Sequence, residues 1–219
     1  PTYLYDDNPW NDVQYLFNKD VFIDNTLGVV KYTLHGQKMP DMDQYSSWAA
    51  DHPVGKDYVL QNYSAPARCE DQKEFTEKEA EIVRHNVEEN VLDMVKAHPE
   101  TTFYFYTPPY SALWWYKTKC SGNLKRYFQA EQLQAELLLQ YDNVKLFSFT
   151  DLFDLTCDLD NYKDDTHYSE QISADIMNWI HDGTCQMTEA NYKSRIENMT
   201  DYYLHYNYSK SGIPLAQEN

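Results

Sequence analysis

The sequence predicts an α/β protein of three layers, in which a parallel sheet lies between helices. Three observations support this fold class. Helical and strand-like segments alternate between residues 73 and 185 as helix, strand, helix, strand, helix. The helical segments carry apolar residues at three- and four-residue spacing. The strand-like segments are short aromatic and β-branched runs. Such alternation is typical of parallel sheets, because a helix usually makes each crossover between parallel strands.

The first helix of this region has a signal at each end. Thr76 is followed by Glu79, a pair that forms a capping box at a helix N-terminus. Apolar residues then recur at helical spacing: Val83, Val87, Val91, Met94 and Val95. The helix is expected to end near His98, because Pro99 cannot continue it.

Two runs are predicted to be buried strands. The first covers residues 102–107 and is stopped by Pro108 and Pro109, and the second covers residues 144–149. A parallel sheet covered on both faces normally has more than two strands. The remaining strands are therefore expected either within residues 1–70 or in a part of the protein that this chain lacks.

The other helices and the domain boundaries follow from the same patterns. One helix is predicted from Leu124 to Gln140, and another from Ser169 to just before Gly183. Residues 1–72 are interpreted as an irregular, partly helical excursion of the same domain. Residues 73–185 form its α/β core, and residues 186–219 a C-terminal helix with a frayed tail.

The composition argues against two kinds of partner. The 219 residues include 35 Asp and Glu but only 18 Lys and Arg, which gives a net charge of -17. Nucleic-acid binding needs clustered Lys and Arg, so no nucleic-acid partner is predicted. No apolar run approaches the ~20 residues of a membrane span, so no span is predicted either. The sequence indicates neither a cofactor nor an oligomeric state.

The four cysteines leave two interpretations open. Cys69, Cys120, Cys157 and Cys185 are widely and irregularly spaced, which argues against a zinc site of the finger type. One or two disulfides in an exported protein fit this pattern. Four buried free thiols fit it equally well.

The most informative segment for function is residues 161–169, between the second strand and the following helix. Asp164 precedes His167 by three residues, so that the chain can fold back and bring the carboxylate to the imidazole. Such a carboxylate fixes the tautomer of the ring and stabilises its protonated form, which is a general-base arrangement. The alternative is a histidine at the start of a helix beside solvated acids. A metal site is disfavoured, because the segment lacks further His or Cys ligands and the glycine of a calcium loop.

A second candidate region follows the first strand. Tyr110, Ser111, Trp114 and Trp115 lie just beyond its carboxyl end. Loops at the carboxyl ends of neighbouring parallel strands share one crevice, so these residues are candidates for binding a substrate next to His167. The alternative is that the tryptophans pack in the core.

The sequence contains no credible nucleophile for this base. A serine elbow needs small residues, usually glycine, around the serine. None of the six glycines immediately precedes a serine. Catalysis would therefore need a nucleophile from outside these residues.

The segment Asn-Tyr-Lys-Asp-Asp-Thr-His-Tyr-Ser at residues 161–169 resembles the last sequence block of SGNH/GDSL hydrolases. Residues 105–115 and 3–12 are similar to a bacterial cell-surface subgroup of that family, which includes D-alanyl transfer proteins and polysaccharide O-acetyl-modifying proteins. The resemblance implies a flavodoxin-like α/β/α fold whose first strands and serine block are missing here. It also implies that Asp164 orients the imidazole and that His167 is the base.

Two functions follow as expectations. In the first, the chain is the C-terminal part of an SGNH-type esterase or acyl-transfer protein. Its substrate would be a small-molecule or glycan ester, in particular an O-acyl group on a cell-envelope glycan, and its location extracellular or at the cell surface. In the second, the chain is a non-catalytic module that binds a glycan or a protein partner through its aromatic loops.

Overall fold

The computed structural model describes Asn8 and residues 10–36 and 52–216. The chain divides into two compact units, Pro1–Asp51 and His52–Asn219. The protein is mixed α/β and 56% helical. The expectation of an irregular excursion falls partly on residues 37–51, which lie outside the described residues.

The described part of the first unit is helical. It contains α1 (Val13–Leu16), a π-helix (Lys19–Leu27) and α2 (Gly28–Leu34). Asn18 begins the π-helix, because its side chain accepts a hydrogen bond of 2.8 Å from the backbone N–H of Val21. None of the described side chains of this unit is buried.

The second unit contains the sheet, in the order β1, β2, β3. β1 (Phe103–Thr107) pairs in parallel with β2 (Val144–Ser148), as the sequence predicts. β3 (Gln186–Met187) pairs antiparallel with β2, so the sheet is not purely parallel. β3 lies in the region expected to hold only a helix and a tail. It is too short to give a periodic signal of its own.

The prediction that β1 is buried is wrong for one of its faces. The side chains of Tyr104 and Tyr106 are 56% and 45% exposed. Phe103 and Phe105 point to the other face and pack against the main core. Within the described residues β1 lies at the end of the sheet, with β2 as its only strand neighbour. An uninterrupted aromatic run does not distinguish this position from a central one.

The helices of the second unit precede, separate and follow the strands along the chain. Most lie where periodicity predicts them. The helix Glu77–Val87 continues through a π-helical turn (Glu88–Leu92) into the helix Asp93–Ala97. In order they are α3 (Lys56–Leu60), α4 (Glu77–Val87), α5 (Asp93–Ala97), α6 (Ala112–Cys120), α7 (Leu124–Leu138), α8 (Phe153–Thr156), α9 (Glu170–Asp182) and α10 (Tyr192–His205), with 3₁₀ turns at Leu159–Asn161 and Tyr208–Ser211.

The capping box of α4 is confirmed. The backbone N–H of Thr76 donates to the Glu79 carboxylate at 2.8 Å, and the Thr76 hydroxyl accepts from the Glu79 N–H at 3.3 Å. The C-terminal signal of α9 is also confirmed, since Gly183 ends that helix in the left-handed conformation at φ 73°.

Two apolar clusters hold the sheet and helices together. The larger one includes residues of α6, α7 and α10, and Trp115 is among its fully buried members. The smaller one joins Phe147 and Phe149 to Ile172 and Ile176 of α9. Because Phe147 and Leu146 are successive residues of β2, the two clusters use its opposite faces.

The prediction of a frayed tail is wrong as far as Ala216. Tyr208 and Ile213 are each only 2% exposed. The chain reverses at Gly212, whose φ of 78° is readily adopted by glycine. The N–H of Ala216 donates to the Tyr116 hydroxyl at 2.6 Å. Buried apolar anchors therefore hold a segment that its polar composition alone marks as loose.

One disulfide decides between the two interpretations of the cysteines. Cys69 is bonded to Cys120, whereas Cys157 and Cys185 are free, partly buried thiols. The bond ties the segment before α4 to the C-terminal end of α6. It closes a loop with a sequence separation of 51.

Removing this bond is expected to lower the free energy of unfolding by about 2–4 kcal/mol, because the unfolded chain then regains the entropy of the open loop. The measurement is urea unfolding of Cys69→Ala/Cys120→Ala beside the oxidised wild type. Reductant should destabilise the wild type to a similar extent and leave the double variant unchanged. A wild type that reductant does not affect would contradict the prediction.

Candidate active site

A small hairpin positions the predicted catalytic pair. Tyr162 and Tyr168 form an antiparallel bridge. The backbone N–H of Lys163 donates to the carbonyl of His167 at 2.8 Å, which closes the loop between them. Tyr162 is fully buried, and its hydroxyl donates to the carbonyl of Pro109 at 2.5 Å. The hairpin is thereby fastened to the loop that follows β1.

The Asp164 carboxylate organises the tip of the hairpin. Its Oδ1 accepts the backbone N–H groups of Thr166 at 2.8 Å and His167 at 2.7 Å. It also lies 3.2 Å from the Thr166 hydroxyl. Because two backbone N–H groups bind Oδ1, the orientation of the carboxylate is fixed and Oδ2 points to the imidazole.

The second oxygen of Asp164 meets the imidazole of His167 directly. Asp164 Oδ2 lies 2.6 Å from His167 Nδ1. A charged carboxylate can only accept a hydrogen bond, so Nδ1 carries the hydrogen and donates it, and Nε2 is the basic nitrogen of the neutral ring. The side chains of Asp164 and His167 are 48% and 52% exposed, so the pair lies at the surface. The structure thus brings together the two residues that the sequence pairs.

Two opposing effects act on the pKa of Asp164, and their net result is a pKa below the ordinary value. Partial burial raises it, since a charged carboxylate loses hydration. The hydrogen bonds from the His167 backbone, the His167 ring and the Thr166 backbone lower it, and together they prevail. Asp164 is therefore charged over the whole range in which a histidine normally serves as a base.

Ser111 supports the hairpin instead of facing a ligand, which corrects its assignment as a substrate-binding residue. It is fully buried, and its hydroxyl donates to the Asp165 carbonyl at 2.7 Å. It also caps α6 by accepting the Trp114 N–H at 3.4 Å. Lys117 adds an ion pair of 2.6 Å to the Asp165 carboxylate.

Trp115 requires the same correction. It is fully buried and stacks on Phe128 and Tyr203, with ring centroids 4.8 and 4.7 Å apart. Its indole N–H donates to the Tyr110 carbonyl at 3.0 Å. Trp115 therefore packs in the core, which was the alternative for the tryptophans, because α6 turns this position inward.

Tyr110 and Trp114 remain partly exposed. Their rings stack at a centroid distance of 4.6 Å. Trp114 also meets Tyr127 edge to face at 5.1 Å, and with Tyr127 it lines a groove of about 470 Å³ between α4, α6 and α7. Of the four residues predicted to bind substrate, these two are the ones that a ligand can reach in this structure.

A buried polar cluster at the carboxyl ends of β1 and β2 was not predicted. Glu131 is only 8% exposed, and its Oε1 accepts the hydroxyls of Thr107 at 2.9 Å and Ser148 at 3.4 Å. Burial raises the pKa of this carboxyl, against the effect of the two hydrogen bonds. Its Oε2 has no hydrogen-bond partner among the described residues. The sequence contains a signal for this buried carboxylate, because Glu131 is an acidic residue within the apolar stripe of α7.

Arg195 and Asp151 form a second polar pair that was not predicted. Asp151 accepts two hydrogen bonds from the Arg195 guanidinium, at 2.8 and 2.7 Å. The same guanidinium donates to the carbonyls of Ser148 and Cys185 at 2.9 and 2.8 Å. This pair joins α10 to the segments beside β2 and β3. Its role is structural, because four hydrogen bonds of the guanidinium go to the chain itself.

Within residues 52–216 and the described part of the first unit, no three His, Cys, Asp or Glu side chains are grouped so that they could hold a metal ion. None of the described helices has the length and apolar character needed to cross a bilayer. Comparison with protein-family models, curated proteins and solved structures finds no match to this chain.

Proposed function

We propose that this chain provides the acid–base half of an SGNH-type serine esterase or acyl-transfer protein. The observation that carries the proposal is the 2.6 Å contact between Asp164 Oδ2 and His167 Nδ1, in a hairpin whose backbone fixes the carboxylate. Asp164 orients the imidazole and stabilises its protonated form. His167 is the general base.

The chemistry assigned to the pair is the first half of ester cleavage. A serine hydroxyl attacks the acyl carbonyl while Nε2 of His167 takes its proton. The protonated imidazole then gives that proton to the departing alcohol oxygen as the ester bond breaks. In the second half, His167 takes a proton from water or another alcohol as its oxygen attacks the acyl–serine carbonyl. The imidazole then returns this proton to the serine oxygen as the acyl–serine bond breaks.

In this proposal the serine and its oxyanion donors belong to a part of the protein outside this sequence, because no serine here directly follows a glycine as in the family's serine block. The proposed architecture is a three-layer α/β/α fold with further strands. The parallel pairing of β1 with β2 and the apolar clusters on both faces of β2 support that architecture.

The substrate class rests on the family resemblance. It comprises O-acyl esters, above all those on cell-envelope glycans. An extracellular or cell-surface location belongs to the same proposal. The disulfide between Cys69 and Cys120 supports it, since such bonds form and persist in oxidising compartments.

The test is the hydrolysis of p-nitrophenyl acetate by the longest natural reading frame that contains this sequence. The wild type is compared with His167→Ala, and with His181→Ala as the matched control, since His181 is 86% exposed on α9. We expect activity in the wild type and the control and its near-complete loss in His167→Ala. Equal rates in all three proteins, or no activity in any, would overturn the proposal.

A second function is favoured by one observation, the stacked and partly exposed pair Tyr110 and Trp114 beside the hairpin. Aromatic side chains at a surface offer a flat apolar face to a ligand. In this case the chain is a non-catalytic module that binds a glycan or a protein partner. Hydrolysis of p-nitrophenyl acetate is then the same for His167→Ala as for the wild type.

A further inference from the structure

A cavity separate from the hairpin lies between α6, the segment before α4 and the C-terminal tail. Its volume is about 740 Å³, within the range of small-ligand sites. Its lining includes Arg68, Tyr116, Lys119, Tyr206 and Tyr208. Two acids, Glu70 and Asp71, also line it.

The walls of this cavity are tied to the body of the second unit. The disulfide between Cys69 and Cys120 fastens one wall, and the backbone N–H of Glu70 donates to the Cys120 carbonyl at 2.8 Å. The opposite wall is fastened where Ala216 donates to the Tyr116 hydroxyl. A cavity built in this way is formed before any ligand enters, which lowers the entropic cost of binding.

The tyrosine rings are also held by the chain itself. The Tyr208 hydroxyl donates to the Tyr203 carbonyl at 2.6 Å. The hydroxyl of Tyr206 lies 2.9 Å from that of Ser211. Tyr116 and Tyr208 are only 5% and 2% exposed, so they form the packed base of the cavity. Tyr206 is partly exposed and presents its ring to the cavity.

Lys119 is one of the two cations that line this cavity. It forms no ion pair with the described residues, and its Nζ lies 5.5 Å from the centroid of the Tyr208 ring. Burial lowers its pKa, because the ammonium loses hydration without gaining a carboxylate. An anion placed beside Nζ would replace the lost hydration.

The acids at the rim do not cancel this charge. Glu70 is bound to Lys73, with 2.8 Å between the carboxylate and the ammonium. The lining itself holds two acids, Glu70 and Asp71, and two cations, Arg68 and Lys119. With Lys73 counted beside Glu70, the cations of this region outnumber the acids by one. One excess positive charge suits a ligand that places one carboxylate in the cavity better than it suits a dianionic phosphate.

We infer that this cavity binds a carboxylate-bearing sugar, such as a hexuronate unit of an acidic glycan. Lys119, with Arg68 at the rim, pairs with the carboxylate, and the partly exposed ring of Tyr206 contacts the apolar face of the sugar. The site does not involve Asp164 or His167, so its test and that of the proposed function can fail separately.

The experiment is calorimetric titration of the oxidised chain with trigalacturonate and with neutral maltotriose. Three variants are compared: Lys119→Met, which removes the charge and keeps the apolar stem, Tyr206→Ala, and Lys78→Met as the control, since Lys78 is exposed on α4 and lies outside the cavity. Thermal unfolding checks that each variant is folded.

We expect trigalacturonate to bind and maltotriose to bind at least tenfold more weakly. Lys119→Met should weaken trigalacturonate binding about 10- to 100-fold, the usual loss for a hydrogen bond to a charged group, and Lys78→Met should leave it unchanged. Equal affinity for the two sugars, unaltered binding by Lys119→Met, or complete displacement by equimolar inorganic phosphate would overturn the inference. Absence of trigalacturonate binding would do so as well.

Discussion

Asp164→Asn is expected, if the proposed function holds, to lower kcat of the full protein by about 10²- to 10⁴-fold, the usual contribution of a positioned acid–base group. The amide nitrogen of asparagine would donate to Nδ1 of His167, which forces the ring hydrogen onto Nε2. In that tautomer Nε2 cannot accept a proton from serine. KM should change little, because the proposed role of Asp164 is to act through the imidazole and not on the substrate.

The matched control for this variant is Asp165→Asn. Asp165 is the adjacent acid, but its carboxylate pairs with Lys117 and not with the imidazole. Its rate should stay close to that of the wild type. A normal kcat in Asp164→Asn would mean that the short contact only closes the hairpin.

The lowered pKa of Asp164 adds a pH dependence to the same variant. Since the folded-state pKa lies below the unfolded value of about 3.9, the charged carboxylate stabilises the fold at higher pH. This stabilisation is lost as the pH falls through the folded-state pKa. Acid unfolding of Asp164→Asn should lack that component, which circular dichroism at acidic pH can measure.

Trp115→Ala is expected to lower the free energy of unfolding by about 3–5 kcal/mol, the range for truncating a large aromatic residue in a core. The residue is fully buried between Phe128 and Tyr203. Its loss leaves a cavity and also leaves the Tyr110 carbonyl without its indole donor. Urea unfolding followed by circular dichroism measures the change.

Trp10→Ala is the control, because the Trp10 side chain is 85% exposed. It should change the free energy of unfolding by less than about 0.5 kcal/mol. A loss of similar size in the two variants would show that the cluster around Trp115 contributes no more than an exposed site.

The sequence predicted the elements with strong local signals. The capping box at Thr76, the stop before Pro99 and the left-handed end at Gly183 all act within a few residues, so a pattern along the chain records them. The contact between Asp164 and His167 belongs to the same class, since three residues separate the partners. The structure confirms each of these.

Features set by distant contacts could not be predicted in this way. Ser111 and Trp115 were placed in a ligand crevice because they follow a strand, but the direction of each side chain depends on how α6 packs. The order of the tail depends on Tyr116, which is 100 positions away from Ala216 in the sequence. The exposure of Tyr104 depends on what covers the sheet, which no local pattern records.

The outward face of β1 has a consequence for the chain before it is fully folded. Residues 102–107 form an uncharged run of aromatic and β-branched side chains, and within the described residues only one side of the strand is paired. Such a segment is a template for cross-β association with other chains. The prolines at 108 and 109 and the high negative charge of the chain oppose this association, since proline cannot extend a β ladder and like-charged chains repel. Aggregation during refolding should therefore increase with salt and with acid, which weaken that repulsion.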